Sequence, residues 1–272
     1  MNSREQFLEE GFVIRENFIP EDILTGIKLE ILSLIELLVK SESIKNLQGF
    51  DFRDTNKLDE AFLMLKSFNS NLASQIYAAS KKLPSVAQFV SSEKHLSLAR
   101  ELIGNSNVAF SDRGWGLRID YPNDVKYSTP LHQDYHTQIG SVNGIVIWIP
   151  ITDVTLDMGP LIFYPSSDKI GIQKIIKVEN GNLSTDLQLD IESNVLKKFP
   201  SMQPEVKAGT AVVINYLLLH KSGQNFSNKC RWSILSRWFD FENADAIKRG
   251  WHGGVQEGYR FDEVHPEFKS FN

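Results

Sequence analysis

The segment Gly144–Ile151, reading GIVIWIPI, constrains this chain more than any other. Successive side chains of an extended backbone point to opposite faces. Ile145, Ile147 and Ile149 therefore share one face, and Val146 and Trp148 share the other. Both faces are apolar, so this strand needs cover on both sides. Sequence on either side can supply that cover: helical patterns come before it, and further short strands come before and after it.

The first hundred residues carry helical periodicity. Ser3 and Gln6 have capping-box spacing, and Gly11 is placed to stop a short helix. Phe12 to Arg15 reads as a brief strand. Pro20 suits the first turn of the next helix, and Glu21 and Asp22 suit its N-terminal dipole. Ile23, Ile27, Ile31, Leu34, Ile35 and Leu38 then form one wide apolar stripe. Residues 40–56 are polar and mixed, expected to form a loop able to close over a site. Helices are predicted over about 57–67, 72–82 and 86–103, the last ended by Gly104 and Asn105.

From Asn107 onward, β-branched and aromatic runs alternate with turn residues. Strands are predicted at 108–111, 116–121, 144–151, 161–164, 172–178, 210–216 and 231–239. Short strands at this density point to a sandwich or barrel. The expected fold is mainly β with an α-helical layer: a double-stranded β-helix (jelly roll) core flanked by N-terminal helices. No repeat, low-complexity tract or linker divides it. Residues 1–272 are read as one domain, with a helical layer at 1–106, the jelly-roll core at 107–240 and a C-terminal extension at 241–272.

Composition narrows the function classes. A net charge of −5 argues against nucleic acid as a partner, because a phosphate-binding surface needs a basic excess. The single cysteine, Cys230, cannot form an internal disulfide. It stands between Lys229 and Arg231, yet reads as a structural thiol. Met1 to Glu10 lacks the apolar centre of a signal peptide, and 31–39 is too short to cross a bilayer. A cytoplasmic protein without a membrane partner is expected.

Three residues carry metal-binding chemistry. His132 and Asp134 are two apart, so on an extended segment both project to one side. His220 follows an apolar strand, where a facing sheet could deliver a third donor. Two imidazoles and a carboxylate suit Fe(II) and leave three positions open for co-substrate and O2. An H-x-D triplet alone is weak, since it arises by chance in many chains. Arg231, eleven residues after His220, sharpens the reading, because a guanidinium is a bidentate partner for a ligand carboxylate. Ser233 falls on the same face. With Trp232, Ile234, Leu235, Trp238 and Phe239 around it, Arg231 sits on a buried strand and needs an anion.

The segments LHQDYHTQIGSVNGIVIWIPITDVTLDMGPLIFYPSSDK and LLLHKSGQNFSNKCRWS resemble the phytanoyl-CoA dioxygenase family, as does the opening FLEEGFVIRENFIPEDIL. That family consists of Fe(II)- and 2-oxoglutarate-dependent oxygenases with a double-stranded β-helix core. The resemblance implies that His132, Asp134 and His220 hold the iron and that Arg231 grips the distal carboxylate of 2-oxoglutarate. Ser222 and Ser233 become secondary contacts, and Gln133 and Trp148 match positions bordering the co-substrate. Trp148 reads equally well as a core tryptophan. Related halogenases lack the carboxylate, so Asp134 favours hydroxylation, with desaturation, ring closure and epimerisation left open. Ser166-Ser167-Asp168-Lys169 departs from a common serine-histidine-lysine run in a turn away from the ligand set.

Other positions are open. Arg118, inside an apolar strand, binds an anionic substrate or 2-oxoglutarate, or else pairs with Asp112 or Asp120; Arg113 lies near it. His136 reads as a hydrogen-bonded or surface histidine, and His95, His252 and His265 as structural or exposed. Trp115, Tyr135, Trp238 and Trp251 either shape a pocket or belong to the core. The implied activity is oxidation of a C–H bond of a small-molecule substrate, with release of succinate and CO2. Two alternatives are a non-catalytic jelly-roll ligand-binding protein and a cupin-type metal enzyme that uses no 2-oxoglutarate. Substrate and oligomeric state are not legible.

Overall fold

The computed structural model describes residues 2–111, 114–124, 128–177, 187–191, 193–254 and 258–269. Helices come first: α1 (Ser3–Glu10), α2 (Glu21–Ser41), α3 (Leu58–Phe68), α4 (Ser70–Ser80), α5 (Pro84–Val90) and α6 (Glu93–Ile103), with strand β1 (Phe12–Arg15) after α1. The capping box of α1 lies one residue earlier than expected: Asn2 accepts from the Glu5 amide and Glu5 reaches back to the Asn2 amide. Gly11, in the left-handed region, closes that helix as expected.

The apolar stripe of α2 buries Leu24, Ile27, Ile31, Leu32, Ile35 and Val39. Ile23, predicted to lie on the stripe, is exposed instead. The helix expected over 86–103 is two helices. Ser92, with extended backbone, breaks the run and starts α6; its hydroxyl caps no backbone amide and meets His95 Nδ1 at 3.3 Å instead. The stretch 40–56 does not form a lid. Ile44 and Leu47 are buried in the helical core, and Phe50 packs on Phe52 with centroids 4.9 Å apart.

The remaining strands are β2 (Val108–Phe110), β3 (Gly116–Asp120), β4 (Gly144–Pro150), β5 (Ile162–Phe163), β6 (Ile175–Lys177), β7 (Leu187–Leu189), β8 (Ala211–Asn215), β9 (His220–Lys221) and β10 (Arg231–Asp240). Between β3 and β4 lies a short helix, α7 (Tyr135–Gln138). The major sheet runs β1-β8-β4-β10-β2, and β3 also pairs with β10. At ten residues, β10 is long enough to hold β3 along its first half and β2 along its last, while β4 takes the opposite edge. A narrower sheet is built from β5 and β9, extended by single rungs that join His132 to His220 and Phe163 to Met202.

The two faces of the major sheet divide as the alternation in Gly144–Ile151 requires. Ile145, Ile147 and Ile149 enter the core shared with the helices, whereas Val146 and Trp148 enter the interior between the sheets. On β10, Trp232, Ile234 and Trp238 face the helices, which leaves Arg231, Ser233, Leu235 and Arg237 on the interior side. Trp232 is fully buried. Its indole donates to Asp59 at 3.2 Å, and its ring meets Phe62 edge-on at 5.0 Å. Trp232→Ala is expected to cost about 3–5 kcal/mol, because the emptied site is fenced by rigid elements; urea unfolding at equilibrium measures it.

Past β10, the C-terminal residues fold back over α7. Phe261 of a last short helix, α8 (Phe261–Val264), is fully buried against His136 and Tyr135. Among the described residues, no helix is long and apolar enough to cross a membrane.

Candidate metal centre between the two sheets

His132 and His220 are direct cross-strand partners. Each backbone N–H donates to the other's carbonyl, at 2.9 and 3.1 Å, so the rings lie side by side, centroids 4.0 Å apart and planes tilted by 50°. This corrects the expectation that a facing sheet delivers His220: the two imidazoles share one rung of the narrow sheet. Asp134 is not extended either. Its φ of −63° and ψ of −27° are helical, because the chain turns there into α7. The turn brings its carboxylate back under the histidine pair instead of continuing the strand alternation.

One donor atom from each of His132, Asp134 and His220 lies within 4.8 Å of the others. Asp134 and His220 are buried and His132 is partly accessible. Backbone carbonyls set the tautomers. His132 Nδ1 is 2.8 Å from the Pro130 oxygen, and His220 Nδ1 is 2.8 Å from the Leu218 oxygen. A carbonyl only accepts, so each Nδ1 carries a proton, and in its neutral form each ring turns an Nε2 lone pair toward the common centre. Burial, and then the neighbouring His220, hold His132 well below the ordinary histidine range. For Asp134, burial opposes ionisation, but the Arg237 guanidinium outweighs it and keeps the carboxyl well below its usual range.

Asp134 Oδ2 is buried without a hydrogen-bond partner, 3.2 Å from His220 Nε2. An anionic oxygen and two nitrogen lone pairs converging in a buried space repel unless a cation lies among them. The donor set, two imidazoles and a carboxylate, fits a first-row divalent metal.

A rung further along, Ser222 N donates to the Thr129 carbonyl, and Thr129 N donates to the Ser222 hydroxyl. That hydroxyl also accepts from Arg118 at 3.1 Å. Arg118 makes a forked contact to Asp120 at 2.8–3.0 Å and reaches Thr129 Oγ1 at 3.0 Å. Of the two readings for Arg118, the pairing with Asp120 is present. Arg113 and Asp112 lie outside the described residues.

Asp120 is shared. Arg231, directly opposite it in the β3–β10 register, contacts it at 2.9 Å through Nη2 and 3.2 Å through Nε. Burial opposes the Asp120 charge, yet the two arginines hold it ionised. Burial, with Arg118 adding to it, also lowers the pKa of Arg231, which Asp120 only partly offsets. Two guanidinium groups thus face one carboxylate in a buried space, leaving a net positive charge. Next to them the Ser233 hydroxyl is fully buried and has no partner.

Other expected residues serve the frame. Gln133 is fully buried; its amide donates to Gly171 O and Leu217 O and accepts from Gln173 N. All three bonds tie loops together, so Gln133 is a clamp behind the centre and not a contact within it. Trp148 lines the interior face opposite Leu235. Tyr135 and Trp238 belong to packed cores, Trp115 packs on the helical core, and Trp251 is exposed. His136 is buried, hydrogen-bonded to Gln173 O at 2.9 Å and pushed down to about 4 by burial. His95 is also buried, whereas His265 bonds Tyr135 and Glu267. Burial raises the Cys230 thiol, which is therefore inert.

The glycine after Ser222 is required by packing. A Cβ on Gly223 would sit 2.5 Å from Pro160 O, and one on Gly159 would sit 2.3 Å from Gln224 O. These two backbones touch, and the contact holds the turn between β9 and β10. Asn225 braces the same turn by donating to Lys229 O at 2.7 Å.

Sequence reading missed one charged residue, Arg237, and offered Asp120 only as a partner for Arg118, not for Arg231. Arg237 donates from Nε and Nη2 to Asp134 Oδ1, both at 3.0 Å. Its even spacing from Arg231 along one strand was the available signal.

Residues 7–233 match the family described as Phytanoyl-CoA dioxygenase (PhyH). The chain belongs to that family. Family members share its dioxygenase character, so the expected enzyme class stands. A phytanoyl-CoA dioxygenase of Arabidopsis thaliana is 23% identical over 269 residues, 90% of each chain. Among solved structures, EctD from S. alaskensis with 2-oxoglutarate and 5-hydroxyectoine has a TM-score of 0.58 at 15% identity, covering 89% of this chain and 77% of its own. The epimerase SnoN, in complex with Fe3+, alpha ketoglutarate and nogalamycin RO, has a TM-score of 0.56 at 12% identity, covering 87% and 82%. These likenesses establish the jelly-roll fold.

Proposed function

We propose that this chain is an Fe(II)- and 2-oxoglutarate-dependent oxygenase that hydroxylates a C–H bond of a small molecule. One observation carries the reading. Three convergent donors, with a buried carboxylate oxygen left unpartnered, stand one rung from an arginine cluster with surplus positive charge. The ligands of EctD and SnoN, a 2-oxo dicarboxylate in both and iron in SnoN, support it.

Fe(II), when bound, activates O2 while oxidative decarboxylation of 2-oxoglutarate to succinate and CO2 supplies two electrons. His132, Asp134 and His220 would hold the ion, their tautomers set in advance by the Pro130 and Leu218 carbonyls. Arg231 would take the distal carboxylate of 2-oxoglutarate, with the Ser233 hydroxyl as a second donor. Asp120, itself held by the Arg118 fork, anchors the Arg231 guanidinium through its Nη2 and Nε. Trp148 and Leu235 line the interior beside them and exclude water. Retention of Asp134 leaves no vacated ligand position for a halide, which favours hydroxylation over halogen transfer. EctD, solved with 5-hydroxyectoine, agrees with that preference, and SnoN, an epimerase, marks the alternative outcome.

The test is succinate formation from 2-oxoglutarate by the whole chain with Fe(II), ascorbate and O2, with and without a metabolite library. Slow succinate release that a substrate accelerates is the expected result. Absence of succinate from iron-loaded protein under every condition would leave a ligand-binding jelly roll as the better reading.

A further inference from the structure

We infer that Arg237 is a positioning residue that reserves one oxygen of Asp134 for the ion. This rests on the metal-centre reading above and goes beyond it, because Arg237 is not one of the three donors and contacts only Asp134 among them. Its Nε and Nη2 both converge on Asp134 Oδ1 at 3.0 Å. The third nitrogen, Nη1, donates to the Gly114 carbonyl at 3.0 Å. The guanidinium is thus held at both ends, and its fork occupies both lone pairs of Oδ1.

Oδ2 is left as the only free acceptor of that carboxylate, and it is the oxygen beside His220 Nε2. Asp134 is therefore set to offer one oxygen instead of two. Rotation of the carboxylate, which would present Oδ1 or chelate through both oxygens, breaks two charge-assisted bonds. The turn at α7 gives Asp134 no other restraint of this kind, since its side chain caps nothing in the helix. Val146 lies opposite Arg237 in the β4 register and Tyr216 is buried nearby, neither offering a competing acid.

A lysine carries the charge but cannot reproduce the fork. Arg237→Lys should accordingly weaken the ion less than Arg237→Gln, yet not match the arginine.

The experiment is calorimetric titration of the metal-free whole chain with Ni(II), which suits imidazole and carboxylate donors. Arg237→Gln is expected to weaken Ni(II) about 10–100-fold, the range typical for a partner that orients a ligand. Arg237→Lys should fall between that variant and wild type. In an Asp134→Ala background, Arg237→Gln should change the remaining affinity less than twofold, because its only route to the ion is gone. Equal Ni(II) affinity in wild type and Arg237→Gln would overturn the inference. So would an equal loss in the Asp134→Ala background, which marks general damage to the fold. If Arg237→Gln does not fold, Arg237→Lys decides by the same two comparisons. A His220→Ala control separates the two levels: undiminished Ni(II) binding there would overturn the metal centre itself, whatever Arg237 does.

Discussion

Arg231→Met should raise the KM for 2-oxoglutarate about 30- to 5000-fold while changing kcat at saturating co-substrate far less. The reasoning begins with the charge count of its cluster. Arg118 and Arg231 share Asp120, so the cluster carries one positive charge more than it neutralises. Removing Arg231 does not strand Asp120, because the Arg118 fork still holds it at 2.8–3.0 Å. The fold should therefore survive, and the loss should fall on the ligand. Truncating one partner of a buried, hydrogen-bonded charge pair costs about 2–5 kcal/mol of binding, which corresponds to the stated range. A contact made equally in ground and transition states appears in KM, not kcat. Arg231→Lys should recover part of the effect, since it restores charge without the planar fork. Metal affinity should be untouched. Full activity of Arg231→Met at low 2-oxoglutarate would instead favour a cupin-type enzyme that never uses this co-substrate.

His220→Ala should abolish metal-dependent turnover and weaken Ni(II) or Fe(II) by at least about 100-fold, the upper range for removing even an orienting partner. Its apo fold should stay within about 1–2 kcal/mol of wild type. The small structural cost follows from what the ring does in the metal-free chain: it bonds one carbonyl, Leu218 O, and otherwise points a lone pair at the centre. Removing Asp134 is a less clean experiment. It would strand the largely buried Arg237 guanidinium, and breaking a buried pair costs about 3–5 kcal/mol before discounting for the partial exposure of that arginine. The two variants should thus lose metal alike and differ in denaturation midpoint, with His220→Ala the more stable. Metal content by elemental analysis beside urea unfolding tests both halves. Retention of near-stoichiometric metal by His220→Ala would remove the second imidazole from the centre.

Much of the architecture was legible because its causes are local. Alternation in Gly144–Ile151 assigned Ile145 and Val146 to opposite faces without reference to any partner strand. The periodicity of α2 predicted its buried side within one turn, and Gly11 marked a stop. Arg231 and Ser233 could be assigned to one face by spacing alone. Where prediction failed, a local competitor or a distant partner had intervened. Ser92 split one expected helix in two. Ile44 and Leu47 turned an expected lid into part of the core.

What the sequence determined by itself was the chemistry on offer: two imidazoles, a carboxylate and an arginine of family order and spacing, on strands whose faces follow from their pattern. The tertiary structure decided how those groups meet. The His132–His220 rung, the helical turn that swings Asp134 beneath it, the sharing of Asp120 and the Arg237 fork all join segments far apart in the chain. Such pairings depend on strand register and loop packing, and a one-residue slip would send every side chain to the opposite face. Their geometry is therefore a property of the assembled sheets, set by contacts that no local pattern encodes.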